Sequence, residues 1–176
     1  MNVYQGEVTV TIAAPAEQVY AYLADFQRHP EWVKNVSQVT PLRPGETGVG
    51  ATFRTNEGPP PVGAASTLRM MVHFVAGVLG GAKPYSEATI TALEPPSRIA
   101  WRAGIPKGAG FFNRAEWEFV LEPRGASTQV TQRYCWQPQT PGAEKMVGAA
   151  GPEGLRQAVA VSLGRLKARL EAGGAG

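Results

Sequence analysis

The chain has 176 residues, of which 43% are hydrophobic and 18% are charged. This composition excludes a disordered protein and provides enough apolar surface for a buried core. The formal net charge is +3, and the basic residues are scattered without interleaved aromatic residues, so a nucleic acid is not expected as a partner. The lone Cys135 excludes an intrachain disulfide, and the first residues do not resemble a signal peptide. The expected location is therefore the cytoplasm.

The N-terminal region predicts one strand followed by two short helices. Polar and apolar residues alternate over 7–12, which is typical of a strand with one buried face. Pro15 suits the first turn of a helix, because that turn does not need the missing N–H group. Apolar residues then recur at helical spacing over 15–25. A second short helix is expected over 27–33.

The next region predicts two strands and an apolar helix. Strands are expected over 36–39 and 49–56, and Phe53 is the large apolar residue of the second. Prolines then interrupt the strand pattern. A helix is expected over 66–80, in a stretch that is apolar almost throughout. This stretch is shorter than the roughly 18 to 20 residues that cross a bilayer, so no stable membrane insertion is expected.

The second half predicts a run of strands and a final helix. Alternating polar and apolar residues predict strands over 85–94, 98–102, 115–121 and 128–136. Short turns would connect them as an antiparallel meander, with a glycine-rich loop over 104–110 that lacks the ending of a phosphate-binding loop. An apolar stripe predicts a last helix over about 152–171. These elements predict an α+β fold in which a curved antiparallel sheet wraps around a long C-terminal helix and leaves an apolar cavity.

Several segments resemble a known family. They are residues 12–26, His29–Trp32, Gly48–Gly50, 93–101 and Trp117–Phe119. Together with the order of the predicted elements, these segments are similar to the START-like, polyketide cyclase/dehydrase superfamily (SRPBCC), which has the helix-grip fold. Its members include lipid carriers, binders of other hydrophobic ligands, and cyclases. The resemblance therefore implies the fold more narrowly than the function.

The resemblance also implies a domain organisation. It predicts one START-like domain over residues 1–176, with its core at about 7–171. The stretch at about 58–83 is longer than a plain connection between adjacent strands in that family. We interpret it as an apolar insertion that forms a lid, a cavity plug or a partner surface.

The sequence offers few groups for metal binding or catalysis. His29 and His73 are the two histidines, and they are far apart without ligand partners at metal-binding spacing. No metal and no other cofactor are therefore expected. His29 is expected to be solvated or to cap the short helices. Alternation predicts that Cys135 points away from the cavity and that Glu116 and Glu118 lie on the outward face of their strand.

Side chains on the inward faces of the strands and of the last helix form the candidate ligand-binding site. An amide and a phenol among them would supply polar contacts, because a buried amide without a partner costs about 1–3 kcal/mol. His73 is the ionisable group expected near the cavity mouth. The predicted site residues are Phe53, His73, Trp101, Trp117, Phe119, Gln132, Tyr134, Trp136, Leu155 and Val159.

Three functions fit these residues. The first is binding of a hydrophobic small molecule, such as a lipid, a polyketide or an isoprenoid. The second is a polyketide cyclase or dehydratase that holds such a molecule folded and uses Tyr134, Gln132 or His73 for proton transfer. The third is a role without catalysis, in which the protein associates with a membrane and residues 66–82 form the apolar contact surface. The lack of a recognisable catalytic motif favours the first.

Overall fold

The computed structural model describes residues 2–58, 64–80, 85–104 and 113–173. The strands in these ranges are β1 (Tyr4–Ile12), β2 (Val36–Pro41), β3 (Thr52–Glu57), β4 (Tyr85–Glu94), β5 (Arg98–Gly104), β6 (Asn113–Arg124) and β7 (Ser127–Pro138). The helices are α1 (Ala16–Ala24), α2 (His29–Trp32), α3 (Ala64–Leu79) and α4 (Pro141–Gly173), and a 3-10 turn over Phe26–Arg28 leads into α2. The predicted glycine-rich loop lies outside the described residues beyond Gly104.

The described strands form one antiparallel sheet in the order β1-β7-β6-β5-β4-β3-β2. The predicted fold class, a curved antiparallel sheet with a long C-terminal helix, is confirmed. Pairing places Trp101 of β5 opposite Trp117 of β6, and Trp117 opposite Tyr134 of β7. Because alternate residues of a strand face the same side of a sheet, this register sets the inward aromatic side chains next to one another.

The last helix begins earlier than the sequence analysis predicted. Helix α4 contains a break at Gly151, whose φ of 68° and ψ of 171° are not helical. The predicted helix corresponds to the part after this break, which starts at Pro152. The part before it was missed, although Thr140 and Pro141 carry a helix-start signal. The backbone N–H of Ala143 donates a hydrogen bond to Oγ1 of Thr140 over 3.2 Å, as in an N-cap.

The helix predicted within the apolar insertion is present as α3 and packs against α4. Met70 is its fully buried side chain. A stripe on the opposite face is exposed to solvent and consists of Leu68, Met71, Val72, Val75 and Leu79. Within the described ranges, no helix combines the length and the apolar character needed to cross a membrane.

Candidate functional site

A cavity with two adjoining lobes lies between the sheet and the helices. The larger lobe, of about 120 Å³, is enclosed by strands β2 to β7 and by α2, α3 and the first part of α4. The smaller lobe, of about 70 Å³, lies against the second part of α4. A water molecule needs only about 10–15 Å³ on this scale, so each lobe has room for more than one water. The lobes share a wall of Trp32, Val33, Asn35, Glu57, Trp117, Gln132 and Trp136.

One wall of the cavity is formed by aromatic side chains on the inward face of the sheet. The rings of Trp101 and Trp117 are nearly parallel, with an interplanar angle of 12° and centroids 6.1 Å apart. Trp117 also contacts Tyr134 at 6.1 Å and Trp136 at 5.9 Å between ring centroids. These contacts follow from the strand register, which places the four residues on the inward face of three neighbouring strands. Such a surface favours a ligand with flat apolar parts.

Most of the predicted site residues line this cavity. The side chains that the structure brings together are Trp101, Trp117, Gln132, Tyr134, Trp136, Leu155 and Val159. The last two come from α4, where spacing by four residues places them on the same helical face. Contact between any of these seven side chains and a ligand remains a prediction.

Three predicted site residues do not line the cavity. Phe119 is on the same face of β6 as Trp117 but is fully buried, with its ring 5.8 Å from that of Trp32 and 5.7 Å from that of Trp101. Phe53 stacks on Phe26 at 5.2 Å. His73 lies on α3 beside the residue that does reach the cavity, Phe74. Met70 and Phe74 are one helical turn apart and face inward together, whereas His73 is half-buried at the side of this face and does not reach the cavity.

His29 caps the 3-10 turn, which was one of its two expected roles, because its backbone N–H donates to the carbonyl of Phe26, but the expectation that its side chain is solvated is wrong. Its side chain lines the larger lobe and is only 7% exposed. The imidazole packs against the rings of Phe26, Trp32 and Trp101, with centroids 4.6, 5.2 and 5.4 Å away. Burial lowers the pKa of His29 to about 4, because the charged imidazolium would lose its hydration there. The 3-10 turn and α2 fold onto the sheet, which a local sequence pattern does not reveal.

Glu57, at the end of β3, is an acidic wall residue that the sequence analysis did not select. Burial raises the pKa of its carboxyl, and a hydrogen bond with Ser86 partly opposes this. The residue as a whole is half-buried, but its carboxyl is surrounded closely enough by protein to be desolvated. Alternation from Phe53 through Thr55 could have placed Glu57 on the inward face.

Polar atoms without a hydrogen-bond partner are concentrated at the cavity. In the described part of the chain, five buried side-chain nitrogen or oxygen atoms have no such partner. Four of them belong to cavity-lining residues: His29 Nε2, Trp32 Nε1, Gln132 Oε1 and Trp136 Nε1. Buried polar groups in proteins are normally hydrogen-bonded, and each exception requires an explanation.

The outward face of the sheet carries charges, as alternation predicted. Glu118 lies 2.6 Å from the guanidinium of Arg98 and 3.2 Å from that of Arg133, and Glu116 lies 2.7 Å from Arg114. Among the described residues, no three histidine, cysteine or acidic side chains are close enough together to hold a metal ion. The outward carboxylates are thus paired with arginines on the face of the sheet opposite to the cavity.

The sheet, the long C-terminal helix and the short helices after β1 define a START-like fold. The chain belongs to the family described as polyketide cyclase/dehydrase and lipid transport, whose sequence profile matches residues 5–171. No curated protein sequence is significantly similar to it.

Solved structures with low sequence identity share the fold. A START superfamily protein from Mycobacterium smegmatis has 16% identity and a TM-score of 0.63, covering 96% of this chain and 98% of its own. The Zhui aromatase/cyclase from Streptomyces sp. R1128 has 17% identity and a TM-score of 0.67, covering 97% of this chain and 94% of its own. The Helicobacter pylori protein jhp0584 has 14% identity and a TM-score of 0.63, covering 96% of this chain and 87% of its own.

Proposed function

We propose that this protein binds a hydrophobic small molecule, of the lipid, polyketide or isoprenoid classes, in the two-lobed cavity. The observation that carries the proposal is the aromatic wall of Trp101, Trp117, Tyr134 and Trp136 facing open space between the sheet and α4. Ligand pockets are concave and mostly apolar, with a few placed polar groups, and this cavity has that composition. Family membership supports the same class of ligand.

The test is native mass spectrometry of the freshly purified protein, followed by organic extraction of any bound compound. The matched variants are Ala88→Phe, which fills the larger lobe, and Ala168→Phe, on an exposed face of α4. We expect a co-purifying compound, or binding of the apolar dye Nile red, in the wild type and in Ala168→Phe. Both should be lost in Ala88→Phe. Dye binding that is equal in all three proteins, with no bound compound in any, would contradict the proposal.

A second candidate is a cyclase or dehydratase acting on such a ligand. The observation that favours it is the presence of Glu57 and His29 in the wall of one lobe, because a carboxyl and an imidazole can exchange protons with a bound substrate. Tyr134 and Gln132 line the same cavity and could assist. The aromatase/cyclase among the structural neighbours is consistent with this candidate.

The enzyme hypothesis is tested by comparing the compounds extracted from wild type, Glu57→Gln and the control Glu87→Gln. Glu87 is an exposed residue of β4 and does not line the cavity. An enzyme should carry product in the wild type and in the control, and unconverted substrate in Glu57→Gln. Tyr134→Phe should also accumulate substrate if its phenol transfers the proton. The same compound in every protein indicates a binding protein.

A further inference from the structure

The unpartnered polar atoms of the cavity define the ligand more narrowly than its apolar wall does. We infer that the ligand is a compact, uncharged ring compound with at least one hydroxyl group and one further acceptor oxygen, such as a carbonyl. This inference rests on the proposed function, since it specifies what that cavity binds.

The size of the cavity favours rings over a long chain. The two lobes have volumes of about 120 and 70 Å³. In another protein, an apolar cavity of about 150 Å³ holds one benzene molecule. The larger lobe is slightly smaller than that cavity and therefore accepts about one ring, and the smaller lobe accepts a second, fused ring or a substituent. The nearly parallel Trp101 and Trp117 present a flat surface to such rings.

Two of the unpartnered atoms can only donate hydrogen bonds. They are the indole Nε1 atoms of Trp32 and Trp136, which both line the wall common to the two lobes. A buried donor without a partner costs about 1–3 kcal/mol. A hydrocarbon ligand would leave these N–H groups unpaired. A carbonyl or hydroxyl oxygen would accept from them.

The other two atoms point to a hydroxyl group. Gln132 is only 4% exposed, and its Oε1 has no partner among the described residues. His29 Nε2 is likewise buried and has no hydrogen-bond partner among the described residues. A hydroxyl group donates one hydrogen bond and accepts others, so it satisfies the amide in either orientation and the imidazole in either tautomer. Because Gln132 lines both lobes, the hydroxyl is expected near their junction.

The charges of the described wall residues disfavour an anionic ligand. Among the described residues that line either lobe there is no lysine or arginine. Burial lowers the pKa of His29 to about 4, so its imidazole is uncharged at neutral pH. Burial raises the pKa of the Glu57 carboxyl, which means that this part of the cavity disfavours a carboxylate, and a ligand carboxylate there would lose its hydration in the same way. A fatty acid would therefore bury its charge without a counter-ion, whereas a neutral hydroxylated ketone would not.

A series of ring compounds separates these contributions. Tetralin has no oxygen, α-tetralone adds the carbonyl, and 5-hydroxy-α-tetralone adds the hydroxyl. Decanoic acid represents an acyl-chain lipid, and Nile red reports any apolar binding. Affinities would be measured by isothermal titration calorimetry for wild type, Gln132→Met and the control Gln129→Met. Gln129 lies on β7 but faces the opposite side of the sheet from Gln132.

We expect the hydroxylated ketone to bind wild type at least about tenfold more tightly than tetralin, and decanoic acid to bind more weakly than either. The advantage of the hydroxyl should disappear in Gln132→Met and persist in Gln129→Met. If tetralin or decanoic acid binds as tightly as the hydroxylated ketone, the inference is wrong, but the proposed function stands. If none of the probes binds, Nile red included, the proposed function fails and the inference with it.

Trp136→Phe provides an independent variant in case Gln132→Met does not fold, as judged by circular dichroism. It keeps an aromatic ring in the wall and removes the indole donor. The preference for α-tetralone over tetralin should decrease several-fold in this variant. An unchanged preference would overturn the assignment of the indole N–H to a ligand oxygen.

Discussion

Gly6 of β1 lies directly opposite Tyr134 of β7, and a Cβ atom on Gly6 would lie 2.7 Å from the phenolic oxygen and 2.9 Å from Cζ. Distances below 3.0 Å are essentially never seen for real Cβ atoms. The phenol ring therefore lies over the backbone of β1, in the space that a side chain would occupy. A missing side chain in one strand thus fixes the position of a cavity-wall residue in the next strand.

The first prediction is that Gly6→Ala destabilises the protein by about 1–3 kcal/mol, because the added methyl group displaces a well-packed ring. The free energy of unfolding would be measured by urea denaturation. In a Tyr134→Ala background the same change should cost much less, since the clashing ring is absent. An equal cost in both backgrounds would show that the clash is not the cause.

The second prediction concerns the break in α4. Gly151 has φ 68° and ψ 171°, a conformation that essentially only glycine adopts. Gly151→Ala should therefore destabilise the protein by about 1–3 kcal/mol. Differential scanning calorimetry would show the loss as a lower Tm. A Tm at or above that of the wild type would mean that α4 straightens without cost.

The third prediction is a substitution in the same helix that increases the stability of the protein. Gly164 is exposed, and nothing lies within 4 Å of a Cβ atom built on it. It therefore neither borders the cavity nor permits close packing. Gly164→Ala should stabilise the protein by roughly 1 kcal/mol, because alanine loses less backbone entropy in a helix. Urea denaturation would measure the gain, and a loss of stability would reveal a contact at this position that the structure does not show.

The fourth prediction is a pH dependence caused by His29. Its pKa falls from 6.5 to about 4 on folding, so at intermediate pH the unfolded chain binds a proton that the folded chain does not. Stability should therefore decrease as the pH falls from 6.5 towards 4, by at most roughly 3 kcal/mol. Urea denaturation at several pH values, compared between wild type and His29→Phe, isolates the contribution of His29 to the pH dependence of stability.

In His29→Phe the loss of stability over that window should be smaller than in the wild type. The control is His73→Phe, which removes the other imidazole and leaves His29 in place. Identical pH profiles for wild type and His29→Phe would show that the buried imidazole takes up its proton without opposing the folded state.

The fifth prediction concerns Glu57, whose folded-state pKa is raised above 4.5. Ionisation is then more costly in the folded than in the unfolded chain, so this group removes stability as the pH rises through its folded pKa. Glutamine cannot ionise. Glu57→Gln should therefore gain stability over the wild type with rising pH and level off above that pKa. Urea denaturation would measure the difference, Glu87→Gln is the control, and a pH-independent difference would contradict the prediction.

Much of the cavity wall was predictable because strand alternation is a local property of the chain. Trp117, Gln132, Tyr134 and Trp136 face one side through their spacing alone, and the antiparallel meander brings their strands together. Helical spacing, which is also a local property, placed Leu155 and Val159 on the inward face of α4. Alternation does not distinguish an inward residue that lines a cavity from one that other side chains cover, which is why Phe119, packed against Trp32, was selected as a site residue.

Local patterns in the chain therefore predicted the order of most elements, the fold class and seven of the residues that line the cavity. Which groups are removed from water depends instead on how distant elements pack together. His29 and Glu57 acquire perturbed pKa values because other elements pack around them, and no neighbour in the sequence supplies that environment. Desolvation depends on every atom within a few ångströms, whatever its position in the chain, and so the chemistry of the cavity became visible only once the sheet, α2 and α4 were assembled.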